Sequence, residues 1–207
     1  SMLMAEQSAR AFDAVALVLR LGAAIVGEGG PGGAPAEAKQ TPDAVRRARL
    51  EDLIRRTPQI RALTVFDADA APLIHVGTET AVPPAPVVLA HLRAHNEEQG
   101  AGIHIGQTVA APASQAGSLP ISRPVDFARP ARRGIIIASI TPGFLEGLYR
   151  AVDLGANGRA TLARTDGAVI AARGAPADTN RRWLDLIGEE EKIGSLELAG
   201  GVWYIAG

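Results

Sequence analysis

Hydrophobic residues recur at spacings of three and four near the start of the chain, and this pattern predicts a long amphipathic helix. Phe12, Val15, Leu19 and Val26 fall on one face, while most charged residues lie elsewhere. The pattern ends at Gly27, where a run rich in glycine and proline begins. We expect a packing helix of a globular domain or a signalling helix that continues from a membrane anchor.

A second helix and a two-stranded pattern follow the glycine-rich run. Thr41 is predicted to cap the helix and Pro42 to occupy its first position, and the helix ends before Pro58. Residues 62–67 and 72–77 then read as two strands around an aspartate-containing turn, where aspartate is ordinary turn chemistry. This order of helix, gap and hairpin is typical of a small α+β domain.

The segment up to residue 140 completes a predicted five-stranded antiparallel sheet flanked by helices. Residues 87–99 favour a helix, and residues 103–109 and 119–127 alternate as strands. Residues 134–140 predict a further strand, and its uninterrupted apolar centre is typical of a central strand buried on both faces. The predicted fold class is therefore α+β.

The part of the chain after residue 140 is predicted to form a smaller domain than the part before it. Residues 160–164 and 168–174 indicate a hairpin around an Asp-Gly turn, which needs positive φ. Residues 180–187 favour a weak helix, and residues 193–198 and 202–206 a second hairpin. No third long strand is evident, so this part is expected to be short or truncated.

The two hairpins are related by an internal repeat. Three positions match at one offset of 97 residues: Asp69 with Asp166, Leu73 with Ile170, and Gly77 with Gly174. Such a period is too long for a solenoid and fits two copies of a small domain. A chance likeness of short amphipathic pieces is the alternative.

Composition removes several classes of function. The net charge is −1 and aromatic residues make up 4% of the 207 residues, so neither an electrostatic footprint nor stacking platforms for nucleic acid are present. The chain has no cysteine, which excludes disulfides and thiolate chemistry. No run of 18 apolar residues occurs, so no bilayer-spanning segment is expected.

One arginine stands on an otherwise apolar strand face. Arg123 alternates with Ile121 and Val125, so the three side chains should point the same way. A buried guanidinium needs a partner, and a ligand carboxylate would match its planar fork. A salt bridge to Asp126 or Asp153, or a side chain that reaches solvent, would satisfy it as well.

The histidines and two serines offer further candidates. His91 and His95 are four residues apart on a helix, a spacing that can bind metal, but no metalloprotease motif accompanies them and a solvated helix face is expected. His104 could line a pocket or serve a structural role. Ser122 and Ser139 could supply pocket hydroxyls from adjacent strands, since neither has the motif of a catalytic nucleophile.

An ordered set of segments resembles the double-Cache sensor regions of bacterial histidine kinases and diguanylate cyclases. The segments are residues 120–125, 133–140, 144–149, 152–155 and 162–167. The resemblance covers nearly the whole chain and is most specific over residues 119–174. It implies a signalling helix and loop over residues 1–41, a membrane-distal PAS-like unit over residues 42–141 and a membrane-proximal unit over residues 142–207.

The resemblance implies an extracytoplasmic domain that senses a small molecule for a transmembrane receptor, most simply a histidine kinase in the bacterial inner membrane. It would contact the membrane only through flanking spans, could form a homodimer through its N-terminal helix, and would bind no nucleic acid, metal or cofactor. Five residues are expected to bind ligand: Arg123, Ser122, His104, Ser139 and Asp126.

Three alternatives stay open. They are a chemoreceptor or diguanylate cyclase sensor, a PAS-type interaction module without ligand, and an enzyme such as a hydrolase, which the absence of a convergent catalytic set disfavours. Relatives that bind free amino acids usually place an aspartate near the end of the last distal strand, whereas residues 139–142 carry no carboxylate. An anionic carboxylate is therefore the expected ligand class, and an amino acid is not.

Overall fold

The computed structural model describes residues 2–27, 43–97, 102–109, 117–127, 132–141, 143–144, 147, 160–163, 169–173, 195–198 and 201–206. The chain divides into two compact units. One contains residues 14–106 and 120–140, and the other contains residues 1–13, 107–119 and 141–207.

Three helices are found where the sequence pattern predicted them. They are α1 (Met2–Gly27), α2 (Asp43–Arg55) and α3 (Ala85–Glu97). The apolar stripe of α1 is buried as expected. α2 has an aspartate in its first turn and an arginine in its last, which suits the helix dipole. The predicted N-terminal cap of α2, residues 41 and 42, lies outside the described residues.

The first unit is built on a five-stranded sheet, with β1 (Ile60–Phe66), β2 (Pro72–Gly77), β3 (His104–Ile105), β4 (Leu119–Phe127) and β5 (Arg132–Ile140). The strand order is β2-β1-β5-β4-β3. β5 lies in the centre and its apolar run is fully buried, which confirms the prediction of a central strand. β3 is only two residues long, shorter than predicted.

The five-stranded sheet has two faces that different helices cover. On the α1 face, a Cβ added at Gly22 would lie 2.7 Å from Ile136 and 3.3 Å from Leu50 of α2, so α1 packs closely against β5. On the α3 face, the helix contributes two side chains to a cluster with three strand residues: Phe66, Val88, Leu92, Ile135 and Ile137. Burying each large apolar side chain contributes roughly 1.5–3 kcal/mol.

The turn between β1 and β2 is held by an aspartate. Asp67 Oδ1 accepts hydrogen bonds from the backbone N–H groups of Asp69, at 2.9 Å, and of Ala71, at 2.8 Å. Ala70 takes a positive φ of 62° to close the turn. The interpretation of these aspartates as turn residues is therefore confirmed for Asp67.

The second unit contains a four-stranded sheet, with β6 (Ala160–Ala163), β7 (Val169–Arg173), β8 (Ser195–Leu198) and β9 (Gly201–Ala206) in the order β7-β6-β9-β8. Both hairpins predicted from the sequence are therefore present. The helix predicted over residues 180–187 falls outside the described residues.

The two sheets share a hydrogen-bond register. Thr64 pairs with His75 in the first hairpin, and Thr161 pairs with Ala172 in the second, at the offset of 97 residues. The irregularity between Val65 and Phe66 recurs at the matching point, residues 162 and 163. The first sheet begins β2-β1-β5-β4 and the second runs β7-β6-β9-β8, so the hairpin pairs occupy equivalent places.

Candidate functional site

The second half of α3 buries polar side chains against the sheet. His91 and His95 are 1% and 3% exposed, so the prediction that they form a solvated helix face is wrong. They follow Val88 at three and seven residues and continue the stripe that Val88 and Leu92 begin. The helix that buries these apolar residues necessarily buries the histidines too.

Ser122 lies at the centre of this polar region. Its Oγ is 2.6 Å from Nδ1 of His91 and 2.8 Å from Nε2 of His95, and the serine is fully buried. A hydroxyl has one hydrogen and two lone pairs. Ser122 therefore donates to one ring, and the other ring donates its N–H to Ser122.

A third histidine completes what we call the histidine cluster: His91, His95, His104 and Ser122. His104 on β3 pairs directly with Ser122 on β4. The ring of His104 is nearly perpendicular to that of His91, and the centroids of these two rings are 4.9 Å apart. The centroids of the His104 and His95 rings are 6.0 Å apart. A Cβ added at Gly106, two residues after His104, would overlap the imidazole of His91. A residue with a side chain at this position would therefore displace the ring.

The surroundings of the cluster oppose a positive charge. Burial, followed by the nearby His104, Arg133 and Arg123, lowers the pKa of His95 to about 4, although a backbone hydrogen bond with Ser122 acts in the opposite direction. His95 is therefore neutral at pH 7.

Arg123 lies on the opposite face of the sheet from the cluster. Its neighbours Ile121 and Val125 are fully buried, which confirms a guanidinium on an apolar face. Burial lowers the pKa of Arg123, and the like charge of Arg20 on α1 adds to the effect. Among the residues that the structure describes, no counter-ion for Arg123 is found, and Asp126 is 3.7 Å from Arg133 instead.

The five predicted ligand-binding residues are thus distributed over two faces. Ser122 and His104 come together in the cluster, and Ser139 is buried on the α3 face of the neighbouring strand β5. Arg123 is on the α1 face, and Asp126 is exposed near the end of β4. The alternative partner Asp153 is not among the described residues. His91 and His95, absent from the predicted set, were signalled by their spacing from Val88.

A second histidine network on the α3 face is separate from the cluster. His75 Nε2 is 2.8 Å from the carbonyl oxygen of Glu79, so this nitrogen carries the hydrogen and donates it. Nδ1 then accepts the hydroxyl hydrogen of Thr64, at 2.8 Å. Within the described ranges, no three histidine, aspartate or glutamate side chains are arranged to hold a metal ion.

Comparison with solved structures shows what the fold is similar to. The extracellular domain assigned to histidine kinase rpHK1S-Z16 matches with a TM-score of 0.71 at 17% identity, over 98% of this chain and 89% of that one. The ligand-binding domain of the Pseudomonas aeruginosa PAO1 amino acid chemoreceptor PctC, in complex with GABA, matches with a TM-score of 0.61 at 15% identity, over 99% and 93%.

A third structure is the ligand-binding domain of the Pseudomonas fluorescens chemoreceptor CtaA in complex with L-isoleucine, with a TM-score of 0.61 at 13% identity, over 98% and 85% of the two chains. No protein-family model matches, and no curated protein matches in sequence. In the part of the chain searched, no helix combines the length and apolarity needed to cross a membrane. The fold of extracellular sensor domains, which the resemblance implied, is confirmed.

Proposed function

We propose that this chain is the small-molecule-sensing domain of a bacterial transmembrane receptor, exposed on the periplasmic side of the inner membrane, with a histidine kinase as its output. The observation that carries the proposal is the fold match to a histidine kinase's extracellular domain across nearly the whole chain. Chemoreceptor domains match less closely, which makes a chemoreceptor or a diguanylate cyclase the second choice of output.

Ligand binding is favoured over a purely structural interaction module by the polar groups buried in the first unit. Burying hydroxyls and imidazoles costs stability unless every group is hydrogen-bonded, and an apolar core would avoid that cost. The first unit nevertheless buries His91, His95 and Ser122 and partly buries His104 and Arg123, a cation beside Arg20. Such residues are typical of a recognition site.

A small carboxylate is the ligand class that we propose, with Arg123 as its candidate contact on the α1 face of the sheet. The other candidates, Ser122, His104, Ser139 and Asp126, would serve a carboxylate bound on the α3 face. GABA and L-isoleucine, bound to the two chemoreceptor domains, each carry a carboxylate. The groups of Arg123 and of the histidines are donors that suit an anion. Residues 139–142 offer no carboxylate for an amine, so an anion without an amino group is preferred.

We further propose that the two units are PAS-like copies, with the first membrane-distal and carrying the ligand site. The shared offset, the shared irregularity in the hairpins and the equivalent strand order all support this layout. The second sheet lacks an equivalent of β3 among its described strands, in keeping with a smaller proximal unit.

Thermal denaturation at pH 7.5 tests the ligand proposal. The chain is screened with monocarboxylates, dicarboxylates and amino acids, and at least one carboxylate is expected to raise Tm. Arg123→Ala should abolish that rise, while Arg61→Ala, which removes another partly exposed arginine of the same sheet, should keep it. The absence of any shift, or an unchanged shift in Arg123→Ala, would refute the proposal.

We also propose a homodimer through α1. Leu17 and Leu21, four residues apart on this helix, are 45% and 42% exposed and form an apolar stripe. Leu21→Glu should lower the sedimentation coefficient of a dimer to that of a monomer. Leu89→Glu, at an equally exposed leucine on α3, should leave it unchanged. A wild-type chain that sediments as a monomer at high concentration would exclude this interface.

A further inference from the structure

The histidine cluster joins the second half of α3 to β3 and β4. Val88 and Leu92 attach the helix to the centre of the sheet through apolar contacts, whereas His91 and His95 attach it through Ser122. One end of the contact between helix and sheet therefore depends on hydrogen bonds that a proton can change.

We propose that the histidine cluster binds a proton in acidic surroundings and that this releases the second half of α3 from the sheet, so that acid is a stimulus for the domain in its own right. This goes beyond carboxylate sensing. The release is a property of the fold alone, and only its meaning as a signal rests on the proposed function.

The number of hydrogens at Ser122 explains the release. We assign His91 as the ring that donates to Oγ and His95 as the ring that accepts the serine hydrogen, so both contacts are satisfied while His95 is neutral. When His95 is protonated, both rings donate to Oγ. The serine hydrogen then has no acceptor inside a buried site. This raises the free energy of the closed form, in which the second half of α3 is packed on the sheet.

Groups on each of the three strands packed against His95 oppose its protonation in the closed form. His104 on β3, Arg133 on β5 and Arg123 on β4 all disfavour a charge on His95. Asp126, the carboxylate nearest to Arg133, is exposed and lies 3.7 Å from that guanidinium. The position of His95 in the last turn of α3 favours a cation, but burial and like charges outweigh it.

The sign and range of the effect follow from the two states of His95. In the closed form, with α3 packed on the sheet, burial and the nearby His104, Arg133 and Arg123 lower the pKa of His95 from 6.5 to about 4, and in the released form it returns toward 6.5. Protons therefore bind the released form preferentially between pH 6.5 and 4. From pH 7.5 to 5, the ratio of closed to released α3 should fall by up to about 30-fold.

Hydrogen exchange of the chain, followed by mass spectrometry at pH 7.5 and 5 without ligand, tests the inference. After correction for the intrinsic exchange rate, amides of residues 91–97 should lose protection in acid. His95→Gln, which keeps a hydrogen-bonding group but cannot be protonated, should remove this loss. His75→Gln, a matched histidine in the separate network with Thr64, should retain it.

Equal protection of α3 at the two pH values, or the same loss in His95→Gln as in the wild type, would overturn the inference. Should His95→Gln not fold, ¹⁵N NMR of the wild-type histidine rings decides. The titration of His95 must coincide with shifts of the α3 amides, and a titration near pH 6.5 without such shifts refutes the release. Carboxylate binding is measured at pH 7.5, where His95 is neutral, so the two proposals fail independently.

Discussion

The two faces of the five-stranded sheet are covered by helices in different ways. On the α1 face, Ile121, Val125 and Ile136 are buried apolar residues, and the cation Arg123 lies among them. On the α3 face, one end is apolar and the other end holds the histidine cluster. The difference teaches that the apolar residues of the α1 face supply stability that does not depend on pH, whereas the stability that the histidine cluster supplies on the α3 face does.

The largest expected effect comes from the α1 face. Ile136→Ala should lower the free energy of unfolding by about 3–4 kcal/mol, because it leaves a cavity in the central strand where α1 and α2 meet. Urea denaturation at pH 7.5 and 5 should give the same loss at both values. Ile137→Ala, at an equally buried position on the α3 face, is the control. A decrease of less than about 1 kcal/mol in the free energy of unfolding of Ile136→Ala would contradict this packing.

A smaller loss is expected at the centre of the cluster. Ser122→Ala should cost about 1–3 kcal/mol at pH 7.5, because two buried ring nitrogens lose their hydroxyl partner. Ser139→Ala, at a buried serine on the same face, should cost less, since no hydrogen bond to a described histidine depends on it. Equal losses in urea denaturation would show that Ser122 does not organise the cluster.

Acid should weaken the wild-type fold by a similar or smaller amount. Because burial depresses the pKa of His95 to about 4, the stability is complete above about pH 6.5 and is lost as the pH falls toward 4. After allowance for solvent screening, we expect a loss of about 1–2 kcal/mol between pH 7 and 5. Urea denaturation of His95→Gln should show a flatter pH profile, and a profile identical to the wild type would contradict the assignment.

The smallest effect is a gain on the α1 face. Arg123→Met should raise the free energy of unfolding by about 0.5 kcal/mol, since methionine keeps an apolar stem and removes a cation beside Arg20. Arg133→Met should give no gain, because it also removes the interaction with Asp126. A loss in Arg123→Met would mean that the guanidinium stabilises the fold and is not reserved for a ligand.

Much of the fold of the first unit could be predicted because helix and strand periods are local properties of the sequence. The bounds of β4, Leu119–Phe127, agree with those predicted from its alternation. The prediction for β3 was too long, since Gly106 already donates to the carbonyl of Pro120, and Pro120 has no N–H to return. Only the pairing partner, which the local pattern does not specify, reveals where the ladder stops.

The candidate site was less predictable because it depends on which helix covers which face. Because successive side chains of a strand point to opposite faces, Ser122 and Arg123 are expected on different faces of the sheet. The sequence does not indicate, however, that α3 covers the serine and α1 covers the arginine. His91 and His95 were misjudged by their polarity, although their spacing from Val88 marked the buried stripe. Their partner Ser122 is 27 or more residues away, which local reasoning could not connect.

The matching irregularities at residues 65–66 and 162–163 have a consequence for how such a chain can be rearranged. An irregularity of this kind changes which side chains face each way beyond it, so a mismatch between the two hairpins would turn a transplanted strand inside out. Since the two hairpins agree in register, exchanging one for the other should keep inward and outward residues in place. Such an exchange would change the side chains on the sheet while the hydrogen-bond ladder around them persists.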